Sequence, residues 1–170
     1  MSEPSLTASD ALGPEAAPRA RVRAASAGDA TAVATAVEAL LIELGGERPS
    51  AAELEEAARQ LAEDSGTGAL FVAEDGKALV GFLAASWQHA IHVPGRYGTI
   101  QDLWVHPDWR SQALGRELIE ALVARAGELG IARLEVGLPQ ASFAGIEATE
   151  RFYLGNGFSH LGPRMRRILR

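Results

Sequence analysis

The stretch LWVHPDWRSQALGREL, residues 103–118, decides how the fold is predicted. Its apolar start is typical of a strand, which ends at His106-Pro107 because proline cannot donate to a sheet ladder. A short turn with Arg110 follows, and apolar residues at helical spacing then predict a long helix from about Gln112 to Gly130. The first turn of such a helix presents unpaired N–H groups and the positive end of the helix dipole. The stretch therefore predicts an anion site that suits a pyrophosphate.

This anion site is not one of the common nucleotide-binding motifs. The chain has neither the Gly-x4-Gly-Lys-Ser/Thr of a P-loop nor the Gly-x-Gly-x-x-Gly of a dinucleotide-binding fold. An ordinary strand–turn–helix unit with two surface arginines, Arg110 and Arg116, would show the same pattern. The spacing alone therefore leaves both interpretations open.

The part of the chain before this stretch begins with a tail and two helices. Residues 1–20 mix Ala, Pro, Ser and Gly with little periodic apolar content, which predicts a flexible tail. A short strand then begins at Arg21, and a helix starts after the capping residues 26–29 and stops at Gly45-Gly46. A second helix starts at Ser50, which forms a capping box with the glutamate three residues later. Three strands follow, at residues 69–74, 77–87 and 97–105, the first two joined at Asp75-Gly76.

After the long helix, the chain continues with alternating strand and helix patterns. The predicted elements are a strand at 133–138, a helix around 147–154, a break at 155–157 and strand-like segments at 158–161 and 164–169. Strands and helices that mix in this order predict an α/β or α+β layer with both hairpins and crossovers. Residues 21–170 are therefore expected to form one domain.

The composition excludes several classes of protein. The 170 residues, 47% of them hydrophobic, suit one domain with a core large enough for an enzyme. Because the chain has no cysteine, it can form neither a disulfide nor a cysteine-bound zinc site. The net charge of −6 argues against a nucleic-acid partner, and no apolar run reaches the ~18 residues that a membrane span needs. The four histidines lack metal-ligand spacing and no secretory signal is visible, so no metal and a cytoplasmic location are expected.

Four stretches resemble one known family. Arg110-x-x-Ala113-x-Gly115 resembles the Arg/Gln-x-x-Gly-x-Gly/Ala signature of the GNAT superfamily of acyl-CoA-dependent N-acyltransferases. Three further stretches agree with that family in order and spacing: residues 22–29 with its opening strand and helix cap, 100–107 with its fourth strand, and 151–158 with its Phe-Tyr-x-x-x-Gly-Phe element. The resemblance covers about 150 residues, all but the tail.

The resemblance implies a mixed, splayed central sheet with helices on both faces, and acetyl-CoA as co-substrate between the fourth and fifth strands. In such proteins the backbone of the fourth strand pairs with the pantetheine arm, here at Leu103, Trp104 and Val105. Arg110 and the amides of the turn and helix start would take the pyrophosphate, here Ser111, Gln112, Ala113, Leu114, Gly115 and Arg116.

The chemistry that the resemblance implies is direct transfer: a neutral amine attacks the thioester carbonyl, and an acid protonates the thiolate. Tyr153 stands where the family often places that acid, and a phenol with a pKa near 10 stays protonated at neutral pH. The alternative is that Tyr153 merely packs beside Phe152.

The general base is harder to assign. Many relatives carry a glutamate where this chain has Gln101, whose amide cannot accept a proton, although it could hold a water or orient the amine. Asp102 is the next carboxylate, but adjacent strand residues are expected to face opposite sides of the sheet. His89 and His92, in the loop-like segment 88–95, have a suitable pKa. Asp102 ranks slightly ahead of His92, and an amine that loses its proton to water would need no base.

Two further departures from the family pattern concern the cofactor. Ala113 replaces the first glycine of the signature, so one methyl group would either crowd the pyrophosphate or be absorbed by a small backbone shift. Ile146 stands where many relatives have an asparagine.

Three functions remain open. The first is acetylation of a small primary amine, and the second is acetylation of a peptide or protein amine. Because Gln101 and Ala113 depart from the pattern, the third is a non-catalytic acyl-CoA-binding module. A monomer and a homodimer are equally compatible with the sequence.

Overall fold

Four helices and five strands make up the part of the chain that the computed structural model describes, residues 20–45 and 47–167. The helices are α1 (Ala30–Leu44), α2 (Ala51–Glu63), α3 (Leu114–Glu128) and α4 (Ile146–Gly155). The strands are β1 (Arg21–Ala24), β2 (Gly68–Asp75), β3 (Ala78–Ala90), β4 (Val93–Val105) and β5 (Leu134–Val136). The predicted tail, residues 1–20, lies outside the described residues except for Ala20. Within these ranges, no helix combines the length and the apolar character that a membrane span requires.

The strands form one mixed sheet in the order β1–β2–β3–β4–β5. The first four strands pair antiparallel. The last strand, β5, runs parallel to β4 and pairs with it only at Gly98–Ile100, opposite Leu134–Val136. The predicted fold class, an α+β mixed sheet with helices on both faces, is confirmed.

An apolar core lies on each face of the sheet. On the α1–α2 face, Phe82 of β3 and Trp104 of β4 pack against α1 and α2. On the α3–α4 face, Leu83 packs with Leu118 of α3 and Tyr153 of α4. Because neighbouring residues of a regular strand point to opposite faces, these two cores show which face each residue of β3 and β4 occupies.

The capping box that the sequence predicts for α2 is present. The Oγ of Ser50 accepts the N–H of Glu53 at 3.3 Å. The hydroxyl and the N–H of Ser50 both donate to the Glu53 carboxylate, at 2.7 and 2.8 Å, and these hydrogen bonds hold the pKa of that carboxyl below its usual range. Local sequence therefore fixes where α2 begins.

A cluster of charges, Arg23, Asp29 and Glu74, ties β1 to β2 and to the short turn before α1. The Arg23 guanidinium donates to both Asp29 oxygens, at 2.8 and 2.9 Å, and to Glu74 Oε2 at 2.7 Å. Hydrogen bonds from Arg23 are the main reason that the pKa values of Asp29 and Glu74 lie below their usual range. We call this cluster the Arg23 knot.

The segment 88–95, expected as a loop, is instead the end of a long hairpin. β3 runs to Ala90 and β4 starts at Val93, so the two strands extend past the start of β2. Pro94 and Gly95 suggest a loop, because proline has no backbone N–H to donate to a neighbouring strand. Near the tip of a hairpin, however, the missing N–H does not interrupt the inner part of the β3–β4 ladder. Gly95 takes a φ of +86°, close to an irregularity in strand pairing at His89 and Ala90.

The prediction of two final strands, at residues 158–161 and 164–169, is also wrong for the part of the chain that the structure describes. Residues 158–167 form neither strand nor helix, and residues 159–167 are exposed. A strand needs a neighbour to pair with, and the chain here carries Gly162-Pro163, which breaks a ladder. The β2–β3 turn differs by one position from the expectation, since Asp75 pairs with Ala78 and leaves Gly76-Lys77 as the turn.

Candidate active site

In the middle of β4, one residue is skipped in the pairing with β3. Ala84 pairs with Asp102 and the next residue, Ala85, pairs with Ile100, so Gln101 between them forms a β-bulge. Ala84 belongs to the core on the α1–α2 face. Its cross-strand partner Asp102 therefore lies on that face.

Gln101 lies on the same face as Asp102. Its Nε2 donates to Ser86 Oγ at 2.8 Å, and Ser86 stands two positions after Ala84 on β3. The expectation that Gln101 and Asp102 face opposite sides of the sheet is wrong, because the bulge interrupts the strand alternation on which it relied.

β4 and β5 separate next to this bulge. Their pairing ends at Ile100 opposite Val136, and a bulged strand bends. Residues 101–105 of β4 therefore have no β5 partner, and such an edge can hydrogen-bond an extended ligand. The three residues predicted to pair with pantetheine lie on this edge, Leu103, Trp104 and Val105.

The loop between β4 and α3 contains two residues with left-handed backbone. Ser111 has a φ of 66° and Ala113 a φ of 65°, and Ala113 is the N-cap of α3. No side chain caps this helix, so the N–H groups of its first turn, at residues 114–116, are open to a ligand. When a residue with left-handed backbone conformation stands next to one with right-handed conformation, their successive N–H groups converge and can surround an anion. The loop thus keeps a glycine-type conformation although alanine replaces the glycine.

Gly115 is needed for packing between α3 and α4. A Cβ at this position would lie 3.1 Å from the Cε2 and Cζ atoms of Phe152, closer than ordinary van der Waals contact. The Phe152 ring also contacts Tyr153 edge-on, with 5.2 Å between ring centroids. Gly115 and Phe152 come from two of the four family-like stretches, and their contact sets the distance from the anion loop to Tyr153.

The Arg110 side chain is hydrogen-bonded to two groups outside the anion loop. Its Nε donates to the Val105 carbonyl at 2.9 Å, and its terminal nitrogen contacts Glu43 Oε1 at 2.6 Å. The same Glu43 oxygen accepts the indole N–H of Trp104 at 3.1 Å. We call this contact between α1, β4 and the anion loop the Glu43 bridge.

Sequence analysis missed Glu43. Its one signal is a position in the last turn of α1, where a negative charge is unfavourable for the helix dipole and benefits from an external partner.

Gln112 and Arg116, two further residues predicted to bind the cofactor, are exposed around the loop, whereas the Leu114 side chain is buried. Arg116 forms an ion pair with Glu120 at 2.9 Å, one turn further along α3. The Gln112 side chain donates to the Asp108 carbonyl at 2.9 Å. These contacts leave the backbone N–H groups, rather than a charged side chain, as the principal donors of the site.

Tyr153 lies in the core of the α3–α4 face and is 8% exposed. Its ring packs edge-on against Phe158 at a centroid distance of 5.4 Å. The hydroxyl makes no hydrogen bond to any described residue. It is also not fully enclosed by protein, so part of the oxygen atom is accessible to solvent. Burial, and then the charge of Asp102, raises the pKa of Tyr153 to about 12.

Asp102 is half-buried and makes no hydrogen bond or ion pair with any described residue. Burial raises the pKa of its carboxyl. The charge of Asp102 also acts on Tyr153, so these two predicted residues lie within electrostatic range of each other, although they belong to opposite faces of the sheet.

The histidines are not part of this arrangement. His89 lies near the end of β3 and His92 in the turn that follows. At about 3.3 Å per residue along β4, His92 is on the order of 30 Å from Asp102. The structure therefore does not bring His92 together with Tyr153 and Asp102.

Comparisons with known proteins agree with this architecture. A family model described as the acetyltransferase (GNAT) family matches residues 34–158. No curated protein sequence matches the chain.

Solved acetyltransferase structures share the fold. An aminoglycoside acetyltransferase from an uncultured soil metagenomic sample is 18% identical, with a TM-score of 0.71 over 89% of this chain and 97% of its own. Glucosamine-6-phosphate N-acetyltransferase from Arabidopsis thaliana is 15% identical, with a TM-score of 0.69 over 89% of this chain and 99% of its own. Ribosomal-protein-alanine N-acetyltransferase from Brucella melitensis biovar Abortus 2308 is 19% identical, with a TM-score of 0.67 over 89% of this chain and 99% of its own. These identities establish the fold alone, whereas the family model covers most of the sequence, and the chain accordingly belongs to the GNAT acetyltransferase family.

Proposed function

We propose that the protein transfers an acetyl group from acetyl-CoA to a primary amine of a small molecule, by direct attack in a ternary complex. The observation that carries this proposal is that the charge of Asp102, on the edge of β4 that β5 leaves open, acts on Tyr153, and that neither side chain has a hydrogen-bond partner among the described residues. A proton acceptor and a proton donor without structural partners are what acyl transfer to nitrogen requires.

The residues around this edge fit acetyl-CoA. The left-handed loop and the uncapped start of α3 would hold the pyrophosphate, and the backbone of residues 101–105 would pair with the pantetheine arm. When bound, acetyl-CoA supplies the thioester carbonyl that the amine attacks and the thiolate that leaves. Because Ala113 already has the left-handed conformation, its methyl group is no argument for a degenerate site.

The chain's own residues would move two protons. Asp102 would accept the proton that the amine nitrogen loses as its bond to the carbonyl carbon forms. Tyr153 would donate its hydroxyl proton to the sulfur as the carbon–sulfur bond breaks.

The two proton transfers would be coupled through charge. The negative charge of Asp102 contributes to the high pKa of Tyr153. Once Asp102 has accepted a proton, that charge is gone and the pKa of Tyr153 falls, which makes the phenol a better donor. Proton uptake at one residue would thus promote release at the other.

Substitution of the two residues tests this function. We expect Tyr153→Phe and Asp102→Asn each to lower kcat by about a hundredfold or more. Both variants should still show a thermal shift with acetyl-CoA, because neither side chain is placed at the pyrophosphate. The control is Glu128→Gln, an exposed carboxylate-to-amide change at the far end of α3 that should leave kcat unchanged.

The pH profile adds a second readout. Activity of the unmodified protein should fall as the pH drops through the pKa of Asp102, which burial places above its ordinary value of about 3.9. Asp102→Asn should remove this acidic limb. Full turnover in Tyr153→Phe, or an unchanged acidic limb in Asp102→Asn, would refute the assigned roles.

A further inference from the structure

A row of uncharged polar side chains extends from the bulge along the β3–β4 hairpin. We call it the polar row, and its members are Ser86, Gln88, Tyr97, Thr99 and Gln101. All lie on the α1–α2 face: Gln101 bonds to Ser86, while Ser86 pairs with Thr99 and Gln88 with Tyr97. At about 3.3 Å per residue, the row extends on the order of 13 Å from Gln101 to Tyr97. It begins next to Asp102, where the amine would react.

Hydrogen bonds hold most of the row in place. Ser86 Oγ accepts from Gln101 Nε2 at 2.8 Å and from Gln88 Nε2 at 3.3 Å. The Tyr97 hydroxyl donates to Gln88 Oε1 at 2.7 Å. Each of these side chains keeps unused hydrogen-bonding capacity, because an amide or a hydroxyl has more than one donor or acceptor position.

Thr99 is the member of the row that lacks a partner. It is 2% exposed and is the fully buried polar side chain among the described residues. Its hydroxyl makes no hydrogen bond to any described residue. Every fully enclosed side-chain nitrogen or oxygen atom of the described residues has a hydrogen-bond partner, so the Thr99 hydroxyl oxygen is not fully enclosed. The Thr99 hydroxyl therefore keeps a small accessible surface, and Thr99 lies on the same face of the sheet as the rest of the row. A buried hydroxyl without a partner costs free energy, which a ligand hydroxyl would recover.

The charges near the row have a simple pattern. The row itself carries none, and Asp102 supplies one carboxylate at its inner end. The cross-strand pair His89 and Arg96 lies on the opposite face of the hairpin, because each is adjacent to a row residue on its strand. A ligand on the row would therefore meet hydroxyls and amides along its length and one negative charge at the reacting end.

We propose that the acceptor is a polyhydroxylated amine, with its amino group at Asp102 and its hydroxyl groups along the polar row. Hydroxyl groups both donate and accept, as do the side chains of the row. An apolar amine would leave these side chains without partners, and an acidic acceptor would meet the charge of Asp102. This inference rests on the proposed function and adds the acceptor class to it.

Two pairs of amines, each matched in the number of carbon atoms, test the inference. The hydroxylated members are glucosamine and 2-amino-1,3-propanediol, and the apolar members are cyclohexylamine and isopropylamine. Each pair is compared at the same concentration of uncharged amine, with acetyl-CoA in excess. We expect kcat/KM to be about tenfold or more higher for the hydroxylated member, since each hydrogen bond is worth a few-fold in binding.

Thr99→Val connects this preference to the row. The substitution keeps the shape of the side chain and breaks no hydrogen bond within the described protein, so the Tm should not fall. We expect a several-fold higher KM for the hydroxylated amines, an unchanged kcat, and no change in kcat/KM for the apolar amines. Thr31→Val, on the exposed side of α1, is the matched control: its hydroxyl also makes no hydrogen bond to any described residue, and the substitution should change none of these values.

The outcomes separate the two proposals. If an apolar amine is acetylated as well as its hydroxylated partner, or if Thr99→Val affects both classes equally, the acceptor class is wrong and the acetyltransferase function stands. If acetyl-CoA binds but neither these amines nor a peptide amine is acetylated, the proposed function fails and the acceptor class fails with it.

Discussion

Ala113 has a backbone conformation that glycine adopts without cost. A left-handed φ brings the Cβ of an L-residue close to its own backbone and costs roughly 1–2 kcal/mol. Ser111, two residues earlier, has the same conformation. Strain of this kind persists where surrounding structure enforces it, and it is concentrated at functional sites.

Ala113→Gly should relieve this strain. We expect the free energy of unfolding to rise by about 1 kcal/mol, the strain released less the entropy that glycine adds to the unfolded chain. For a chain of this size, that corresponds to a Tm about 2–4 °C higher. Binding of acetyl-CoA, measured by calorimetric titration, should be equal or tighter.

Ala124→Gly is the control for this prediction. Ala124 lies in the helical interior of α3, where glycine costs about 1 kcal/mol relative to alanine, so its Tm should fall. A lower Tm in Ala113→Gly as well, or clearly weaker acetyl-CoA binding, would contradict the conformation and the role that we assign to Ala113.

Individual residues of the site were predictable to different degrees. Tyr153 and the anion loop follow a sequence motif, so sequence alone could nominate them. The orientation of Asp102 could not be predicted, because a bulge is decided by how two strands pair and leaves no local signal at Gln101. Thr99 was missed for a similar reason, since only the fold shows that a strand threonine lacks a partner.

The helices were more predictable than the strands. Ser50 and Glu53 mark the start of α2 and Gly45 follows the end of α1, and these are local signals. A strand depends on its neighbours instead. The length of β3 and β4 follows from their mutual pairing in the long hairpin, whereas residues 159–167 pair with no strand. Sequence patterns predict neither the length of these two strands nor the lack of strand pairing in the final segment.

The Glu43 bridge joins three elements, and its loss should affect the cofactor site. In Glu43→Gln the carboxylate that holds Arg110 and the Trp104 indole is replaced by a neutral amide. Because the pair is partly exposed, we expect the stability to fall by about 1 kcal/mol at most. The KM for acetyl-CoA should rise several-fold with little change in kcat, because the loop is displaced while Tyr153 and Asp102 are not.

Two measurements distinguish positioning from general destabilisation. The tryptophan emission of Glu43→Gln should shift, since the Trp104 N–H loses its carboxylate partner. The effects of Glu43→Gln and Arg110→Gln on KM should not add in the double variant. Glu38→Gln, on the same helix, should leave KM and emission unchanged; additive effects of Glu43 and Arg110 would show that the bridge does not position the loop.

At the scale of the whole molecule, the fold is held by two apolar cores and by the Arg23 knot at the β1 edge. The family resemblance implies helices on both faces of the sheet, and the four ordered motifs predict which strand borders the cofactor. The Arg23 knot could not be predicted, because Glu74 lies 51 positions from Arg23 and is brought near by the β1–β2 pairing.

The knot makes stability depend on pH. Arg23 holds the pKa values of Asp29 and Glu74 below those of the unfolded chain, so the folded state binds fewer protons at these two sites. Their stabilisation is complete above the unfolded pKa values of about 4 and is lost as the pH falls towards the folded values. We therefore expect Arg23→Met to lower the Tm at neutral pH, and the difference from the unmodified protein to shrink below about pH 4.

A series of thermal melts between neutral and acidic pH checks this expectation. Arg151→Met is the control, since Arg151 is exposed and its contact with Glu147 is 3.7 Å long, so its Tm should match the unmodified protein throughout. A Tm difference for Arg23→Met that stays constant down to pH 2 would mean that the knot stabilises by packing rather than by charge.

The bulge at Gln101 has a consequence for how such a site arises. If Gln101 were deleted, Ile100 and Asp102 would become neighbours, and they already point to opposite faces as neighbours in a regular strand do. Every later residue of β4 would keep its layer, and the β3–β4 ladder would run without interruption from the Gly81–Val105 pair to the His89–Arg96 pair. A single inserted residue would thus be enough to bend β4 and to open the edge at which we place the proposed reaction.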